Sequence, residues 1–257
     1  MEARKIIITG GATRIGAAIA KKLSGHNIEI VIHFNKSKSK AESLKKELEK
    51  NGTKIYLAKG DLSKETDVNK LVKFARSKLK YFDCLINNAS LFENDKLDNF
   101  TTNSWGQHLR TNLRTPALLS KEFSKNIKGK NNNIINIIDQ RVFKLTPYFF
   151  SYTISKTGLY TLTKTSAMSL APNIRVNGIA PGPTIKNKRQ SDKHFKKQYL
   201  ATPLRKQVDV NEICNAVDFF IKNSSITGQV LAIDSGQNLN WQTPDVIGKE
   251  WKKIILK

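Results

Sequence analysis

Three groups of residues in this 257-residue chain carry chemistry: Thr9-Gly10-Gly11-Ala12-Thr13-Arg14-Ile15-Gly16, the carboxylate Asp139, and Tyr152-Thr153-Ile154-Ser155-Lys156. The first suits a phosphate, because a glycine-rich turn lets a pyrophosphate approach the backbone and meet free N–H groups where a helix begins. Glycines also simply end strands, so the turn decides little by itself. The last suits proton transfer. Tyr152 and Lys156 are four residues apart and share one face of a helix. An ammonium near a phenol favours the phenolate, so the spacing predicts a tyrosine pKa lowered toward neutrality. Tyr-x-x-x-Lys also arises by chance as a surface pair. A nucleotide turn followed by a carboxylate and a proton-donating pair describes hydride transfer.

The elements that must position these groups follow from hydrophobic patterning. Ile6-Ile7-Ile8 is an unbroken apolar run, the mark of a parallel strand buried on both faces, and Ile15 to Leu23 has helical spacing. Strands are expected near residues 4–9, 28–34, 54–58, 84–87, 133–138, 175–180 and 230–233, with helices between them. The alternation runs on without a linker. It predicts an α/β chain, a single-domain doubly wound Rossmann fold with a mainly parallel seven-stranded sheet flanked by helices. The Tyr152 helix, expected over residues 151–170, follows the fifth strand directly, which brings the pair to the sheet edge where such folds bind ligands. Asp209-Val210-Asn211-Glu212 has the spacing of a capping box and is expected to start the last major helix. Residues 181–203 are polar with weak periodicity and read as a loop.

From about Lys5 to about Leu239 the chain resembles the short-chain dehydrogenase/reductase family. Further matches are Asp61 after the third strand, Asn87-Asn88-Ala89 after the fourth, Asn112 in the long helix after that, Pro181-Gly182-Pro183-Thr184 after the sixth, and Thr227-Gly228-Gln229 through Asp234. The resemblance implies a cofactor lined by Gly10, Thr13, Arg14, Ile15, Gly16, Asn35, Lys36, Ser37, Asp61, Leu62, Asn88, Ala89, Lys156, Pro181, Gly182 and Thr184. It implies catalysis by Tyr152, Lys156 and Asn112, a mobile substrate loop over 181–203, and a homotetramer or dimer.

Three departures narrow the resemblance. Asp139 stands where most members carry a serine that hydrogen-bonds the substrate oxygen, Arg14 where a second glycine is usual, and Ser90 where glycine usually follows Asn87-Asn88-Ala89. Together they look like the pteridine reductase branch, in which Asp-Tyr-Lys replaces Ser-Tyr-Lys and an arginine sits in the phosphate turn. In that branch an aromatic residue stacks the pterin ring against the nicotinamide, and Phe92 fits the position. Judged alone, Phe92 reads equally as an ordinary core phenylalanine. The implied substrate contacts are Arg14, Ser90, Phe92, Asp139 and Tyr152. A carboxyl group suits a pterin, since it accepts from ring N–H groups or, protonated, delivers a proton to a ring nitrogen. An ionised Asp139 would repel the developing alkoxide of a ketone or 3-oxoacyl substrate.

The end of the second strand bears on cofactor choice. NAD-preferring enzymes carry an acid there for the ribose hydroxyls. Ile32-His33-Phe34-Asn35-Lys36-Ser37 has none, and Lys36 and Ser37, with Arg14 across the turn, are set to hold a 2′-phosphate, so NADPH is expected. Lys36 also reads as plain surface charge in so lysine-rich a chain.

Composition sets bounds. The formal charge is +23, which ordinarily suggests nucleic acid or an anionic surface. The positive residues are spread over 36–50, 64–80, 121–130 and 186–197, are mainly Lys, and fit compositional drift with no specific nucleic-acid partner. Cys84 and Cys214 lack redox or metal spacing and read as buried thiols, and no cluster suggests a metal. No run reaches the roughly 18 apolar residues of a membrane span, and the first strand begins too soon for a signal peptide, so a cytoplasmic protein is expected. The tail over 240–257, with Trp241 and Trp251, lies beyond the resemblance and is a candidate for subunit packing. The expectation is an NADPH-dependent reductase of a pterin or dihydrofolate-like ring C=N, with the proton supplied by Tyr152, assisted by Asp139 and a water near Asn112. The alternatives are a short-chain reductase of another carbonyl, and a non-enzymatic nucleic-acid-binding or regulatory protein.

Overall fold

A computed structural model describes residues 4–187 and 189–241. The described strands are β1 (Arg4–Ile8), β2 (Ile28–Phe34), β3 (Lys54–Lys59), β4 (Cys84–Asn87), β5 (Asn132–Ile137), β6 (Ile174–Pro181) and β7 (Val230–Ile233). They pair in the order β3-β2-β1-β4-β5-β6-β7, every pair parallel. Side chains alternate across a strand, so the β1 run serves both faces of the sheet. Ile6 and Ile8 pack with residues of α1 (Arg14–Leu23), α2 (Lys38–Glu49) and α8 (Val210–Lys222). Ile7 packs with residues of α3 (Glu65–Leu79), α5 (Thr115–Ser124) and α6 (Phe150–Leu170). Burial on both sides explains the continuous isoleucines.

The chain winds outward from β1 to β3, then crosses back to lay β4 against the other edge of β1. That reversal opens a crevice at the carboxyl ends of β1 and β4, where open α/β sheets receive ligands. Thr9, at the end of β1, stitches the two sides together. Its Oγ1 accepts from the N–H of Asn88 (2.9 Å) and of Ala89 (3.0 Å) and donates to Ile86 O (3.3 Å).

The expected seven-stranded, doubly wound sheet is present with every pair parallel, and the helix expected over 151–170 begins at Phe150. Other expectations need correction. The long helix carrying Asn112 is interrupted: α4 (Thr102–Leu109) passes into a π-helical turn, Arg110–Arg114, before α5. The segment 181–203 contains α7 (Asp192–Leu200), started by Ser191, whose side chain accepts from the His194 N–H. The expected capping box forms only by half. Asp209 accepts from Asn211 N (2.9 Å), while Glu212 turns to Lys206 at 3.2 Å instead of reaching back. Among the described residues no helix is long and apolar enough to cross a membrane, and no cluster of metal-ligating side chains occurs. Cys84 and Cys214 are buried and unpaired, with burial pushing their thiols up to about 12 and about 11. Trp241 is exposed, and Trp251 lies outside the described residues.

Candidate active site

The glycine turn closes against the β4 loop so tightly that side chains are excluded. Gly10 has φ +60°, and a Cβ there would meet Ala89 Cα at 3.0 Å. A Cβ on Gly16 would run into Gly10 O and, at 2.6 Å, Asn88 Nδ2. Asn88 spends its amide on this closure, donating to Thr9 O (2.9 Å) and Gly10 O (3.1 Å). Thr13 leads into α1 in extended conformation, its side chain makes no capping bond, and the first turn holds no acid. The first N–H groups of α1 are therefore left for an anion.

Patterning passed over His33. It is buried at the end of β2, where Nδ1 accepts from Gly10 N (3.2 Å) and Nε2 lies 3.1 Å from Gly60 O. A carbonyl only accepts, so the proton sits on Nε2 and the ring is neutral. Burial drives its pKa down to about 4, against weaker pulls upward from Gly60 and the nearby Asp61 and Asp67. His33 thus ties the glycine turn to the end of β3. The only hint in the sequence was a polar residue inside an apolar strand. Just beyond, Asn35 and Lys36 are exposed, and Ser37 precedes α2 without capping it. Asp61 accepts from Ser63 N (3.0 Å) and Ser63 Oγ (2.8 Å) in a local turn, and Leu62 O accepts from Thr115 Oγ1 at 2.6 Å. Across the crevice, Gly182 packs where a Cβ would strike Asp234 Cα at 2.6 Å, and Thr184 Oγ1 donates to Gly182 O.

The catalytic candidates converge between β5 and α6. Tyr152 donates to Asp139 Oδ2 at 2.7 Å, and Asp139 Oδ1 accepts from Arg141 N at 2.9 Å. Lys156 is buried with its Nζ donating to Ile137 O at 2.8 Å, 5.8 Å from the centre of the tyrosine ring. This arrangement reverses the expected tuning of the phenol. Burial and the charge and hydrogen bond of Asp139 hold the Tyr152 pKa well above its ordinary value, so the hydroxyl keeps its proton. Burial lowers Lys156 to about 8, with Asp139 acting in the opposite sense.

Asn112 reaches this centre from the π turn. Oδ1 accepts from Leu91 N (2.8 Å) and Ser90 Oγ (3.2 Å), while Nδ2 donates to Leu91 O and Ser155 Oγ, both at 2.9 Å. All four valences of the amide are filled by protein, so the side chain fastens the 90–91 loop to α6 and has none left for the expected water. Asp95, also unanticipated, reaches the start of α6 from a distance: its Oδ1 accepts from Ser151 N (2.9 Å) and its main-chain oxygen from Phe150 N (3.1 Å).

Aromatic rings and arginines form the outer wall. Phe92 stacks on Phe149 with centroids 4.5 Å apart and planes 5° from parallel, and meets Tyr152 edge-on at 4.6 Å. Phe149 was not foreseen. It holds φ +58°, a left-handed conformation rare for a bulky side chain, pinned by Asn94 Oδ1 accepting from its N–H. Arg14 also departs from expectation. Its backbone is left-handed (φ +56°), and its guanidinium crosses the crevice to Ile185 O and Lys186 O (both 2.8 Å) rather than joining Lys36. Arg189 grips the opposite lip, pairing with Glu93 at 2.7 Å and donating to Phe92 O.

Comparison with known proteins agrees with this geometry. A family model for short chain dehydrogenases matches residues 4–197. The chain is 32% identical over 240 residues to a 3-oxoacyl-[acyl-carrier-protein] reductase FabG of Buchnera aphidicola, covering 91% of this chain and 97% of that one. Among solved structures, FolM alternative dihydrofolate reductase 1 of Brucella canis, complexed with NADP, is 42% identical with TM-score 0.89, covering 94% of this chain and 96% of that one. Its Brucella suis counterpart, also with NADP, is 40% identical with TM-score 0.91, covering 96% and 100%. A nucleotide turn, a Tyr152–Lys156 pair on α6 and these relatives agree: the chain belongs to the short-chain dehydrogenase family.

Proposed function

We propose that the protein is an NADPH-dependent reductase of a pterin or dihydrofolate-like heterocycle. The observation that carries the reading is the 2.7 Å hydrogen bond from Tyr152 to Asp139, with Phe92 against the tyrosine edge. A carboxylate at this position matches a heterocycle with ring N–H groups better than a ketone oxygen. The likeness to two FolM alternative dihydrofolate reductases supports it.

The residues fit the cofactor. Gly10, Thr13, Ile15 and Gly16 would take its pyrophosphate, Asn35, Lys36 and Ser37 its 2′-phosphate, and Asp61 and Leu62 its adenine. Asn88, Ala89, Pro181, Gly182 and Thr184 would line the nicotinamide half, and Lys156 would hold the ribose. The support is a turn in which Gly10 and Gly16 leave no room for a side chain and a β2 end without a carboxylate. NADPH supplies the hydride. Ser90 and Phe92 would hold the ring, with Arg14 bracing the 185–186 loop beside it through its bonds to Ile185 O and Lys186 O, while Tyr152, hydrogen-bonded to Asp139, would supply the proton to a ring nitrogen. Lys156, charged below about pH 8, stabilises the anion left behind. Asn112 keeps the 90–91 loop in register with α6.

Reduction of a 3-oxoacyl thioester is the second reading, favoured by the Buchnera relative. NADPH oxidation measured with dihydrofolate, dihydropterins and a 3-oxoacyl thioester decides between them. Turnover confined to the thioester would sink the first reading.

A further inference from the structure

The cations around the outer wall are nearly all engaged within the protein. Arg14 donates to two loop carbonyls, Arg189 pairs with Glu93, Lys186 pairs with Asp192, and Lys144 donates to Asn240 O. Arg141 differs. Its backbone N–H holds Asp139, but its guanidinium has aromatic neighbours, with Cζ over the Phe149 ring at 4.7 Å from its centre and over the Phe92 ring at 5.8 Å. Among the described residues no carboxylate pairs with it and no side-chain hydrogen bond satisfies its five donors. Stacking on an aromatic face leaves the guanidinium edge free, and that edge is the part that grips a carboxylate bidentately. Arg141 and Phe149 are both partly exposed, so this edge is reached from the rim of the site rather than its floor.

We propose that Arg141 is a carboxylate subsite for the side arm of the substrate, so that the enzyme prefers a heterocycle bearing an anionic substituent over one with a neutral side chain. The inference rests on the heterocycle reading above. Asp139 and Arg141 are two residues apart on one short turn, so ring and side arm are read by the same piece of backbone. The geometry favours Arg over Lys, whose compact ammonium offers no planar fork.

Steady-state kinetics of the wild type, Arg141→Gln and Arg141→Lys with 7,8-dihydrofolate, which carries carboxylates, and 7,8-dihydrobiopterin, which carries none, test this. The wild type should show the lower KM for dihydrofolate. Arg141→Gln should raise that KM about ten- to thirtyfold, the loss of one charge-assisted bidentate contact, with kcat and the dihydrobiopterin constants nearly unchanged. Arg141→Lys should fall between. Because the charge of Arg141 also acts on Tyr152, the pH profile of kcat is followed in both variants. Equal losses of KM on the two substrates, or no change on either, would overturn the subsite while leaving the reductase reading intact; a pH profile moved alike on both substrates by Arg141→Gln and not by Arg141→Lys reports only the charge on Tyr152. A wild type that reduces neither compound would overturn the reductase reading, and the subsite with it.

Discussion

Asp139 and Tyr152 form a hydrogen-bonded unit in which the phenol does not behave as its spacing from Lys156 suggests. The spacing from Tyr152 to Lys156 promised a phenolate, yet the carboxylate and the burial of the ring keep the phenol protonated. The residue types and their shared helix face were legible because a four-residue interval needs no tertiary knowledge. The direction of the pKa was not, since it depends on where Nζ points and how much solvent is lost. Asp139→Ser should therefore lose most pterin reduction while NADPH affinity stays nearly constant, because the residues proposed to hold the cofactor are others. Asp139→Asn, which keeps the shape but neither ionises nor releases a proton, should fall by about 10²–10⁴-fold in kcat. Retained pterin activity in the serine variant would contradict the role given to Asp139. Lys156 makes a separate prediction. The proposed chemistry uses its charged form and its pKa is lowered to about 8, so kcat/KM should hold below that pH and decline above it. A profile flat through pH 9 would remove Lys156 from the chemistry.

At the scale of elements, the strands were legible and the irregular joints were not. Ile6-Ile7-Ile8 announces a strand buried on both faces by composition alone. The π turn at Arg110–Arg114 leaves no such trace, because it arises from tertiary demand: Asn112 must meet both Leu91 and Ser155. The helix α7 was hidden because only Phe195 is buried on it, too little for a hydrophobic period. His33 links β2, the glycine turn and β3, and it predicts a pH dependence of stability. Its folded pKa is depressed to about 4 from 6.5, so the unfolded chain takes up a proton first as pH falls. The contribution is complete above pH 6.5 and lost as pH drops toward 4. It amounts to something on the order of 3 kcal/mol. Denaturant melts of the wild type should weaken across that interval, and His33→Asn, which keeps an acceptor for Gly10, should flatten it. At the end of β2, Lys36→Asp should erase or reverse the preference for NADPH, a change of about ten- to a hundredfold in relative kcat/KM. Equal efficiency of the wild type with NADH and NADPH would contradict that assignment.

Across the whole molecule the charge is diffuse. Lys38, Lys40, Lys46, Lys70, Lys73 and Lys78 all lie exposed on the outer helices α2 and α3, and several surface lysines pair locally with Glu or Asp. Binding to DNA or RNA should accordingly be weak, without sequence preference, and lost as salt approaches physiological strength. Filter binding that stays tight and selective there would point to an organised nucleic-acid surface. The doubly wound plan was readable because strand and helix alternate with clear polarity, and parallel pairing through right-handed crossovers leaves few topologies. What composition could not reveal is how the ends of β1, β4 and β5 meet, since Thr9, Asn88 and Asp139 are far apart along the chain. The substrate assignment rests on that meeting point. Parallel assays of NADPH oxidation by the wild type with 7,8-dihydrofolate and with a 3-oxoacyl thioester test it most directly. The account predicts efficient turnover of the dihydrofolate and little of the thioester. Equal or greater efficiency with the thioester would contradict it.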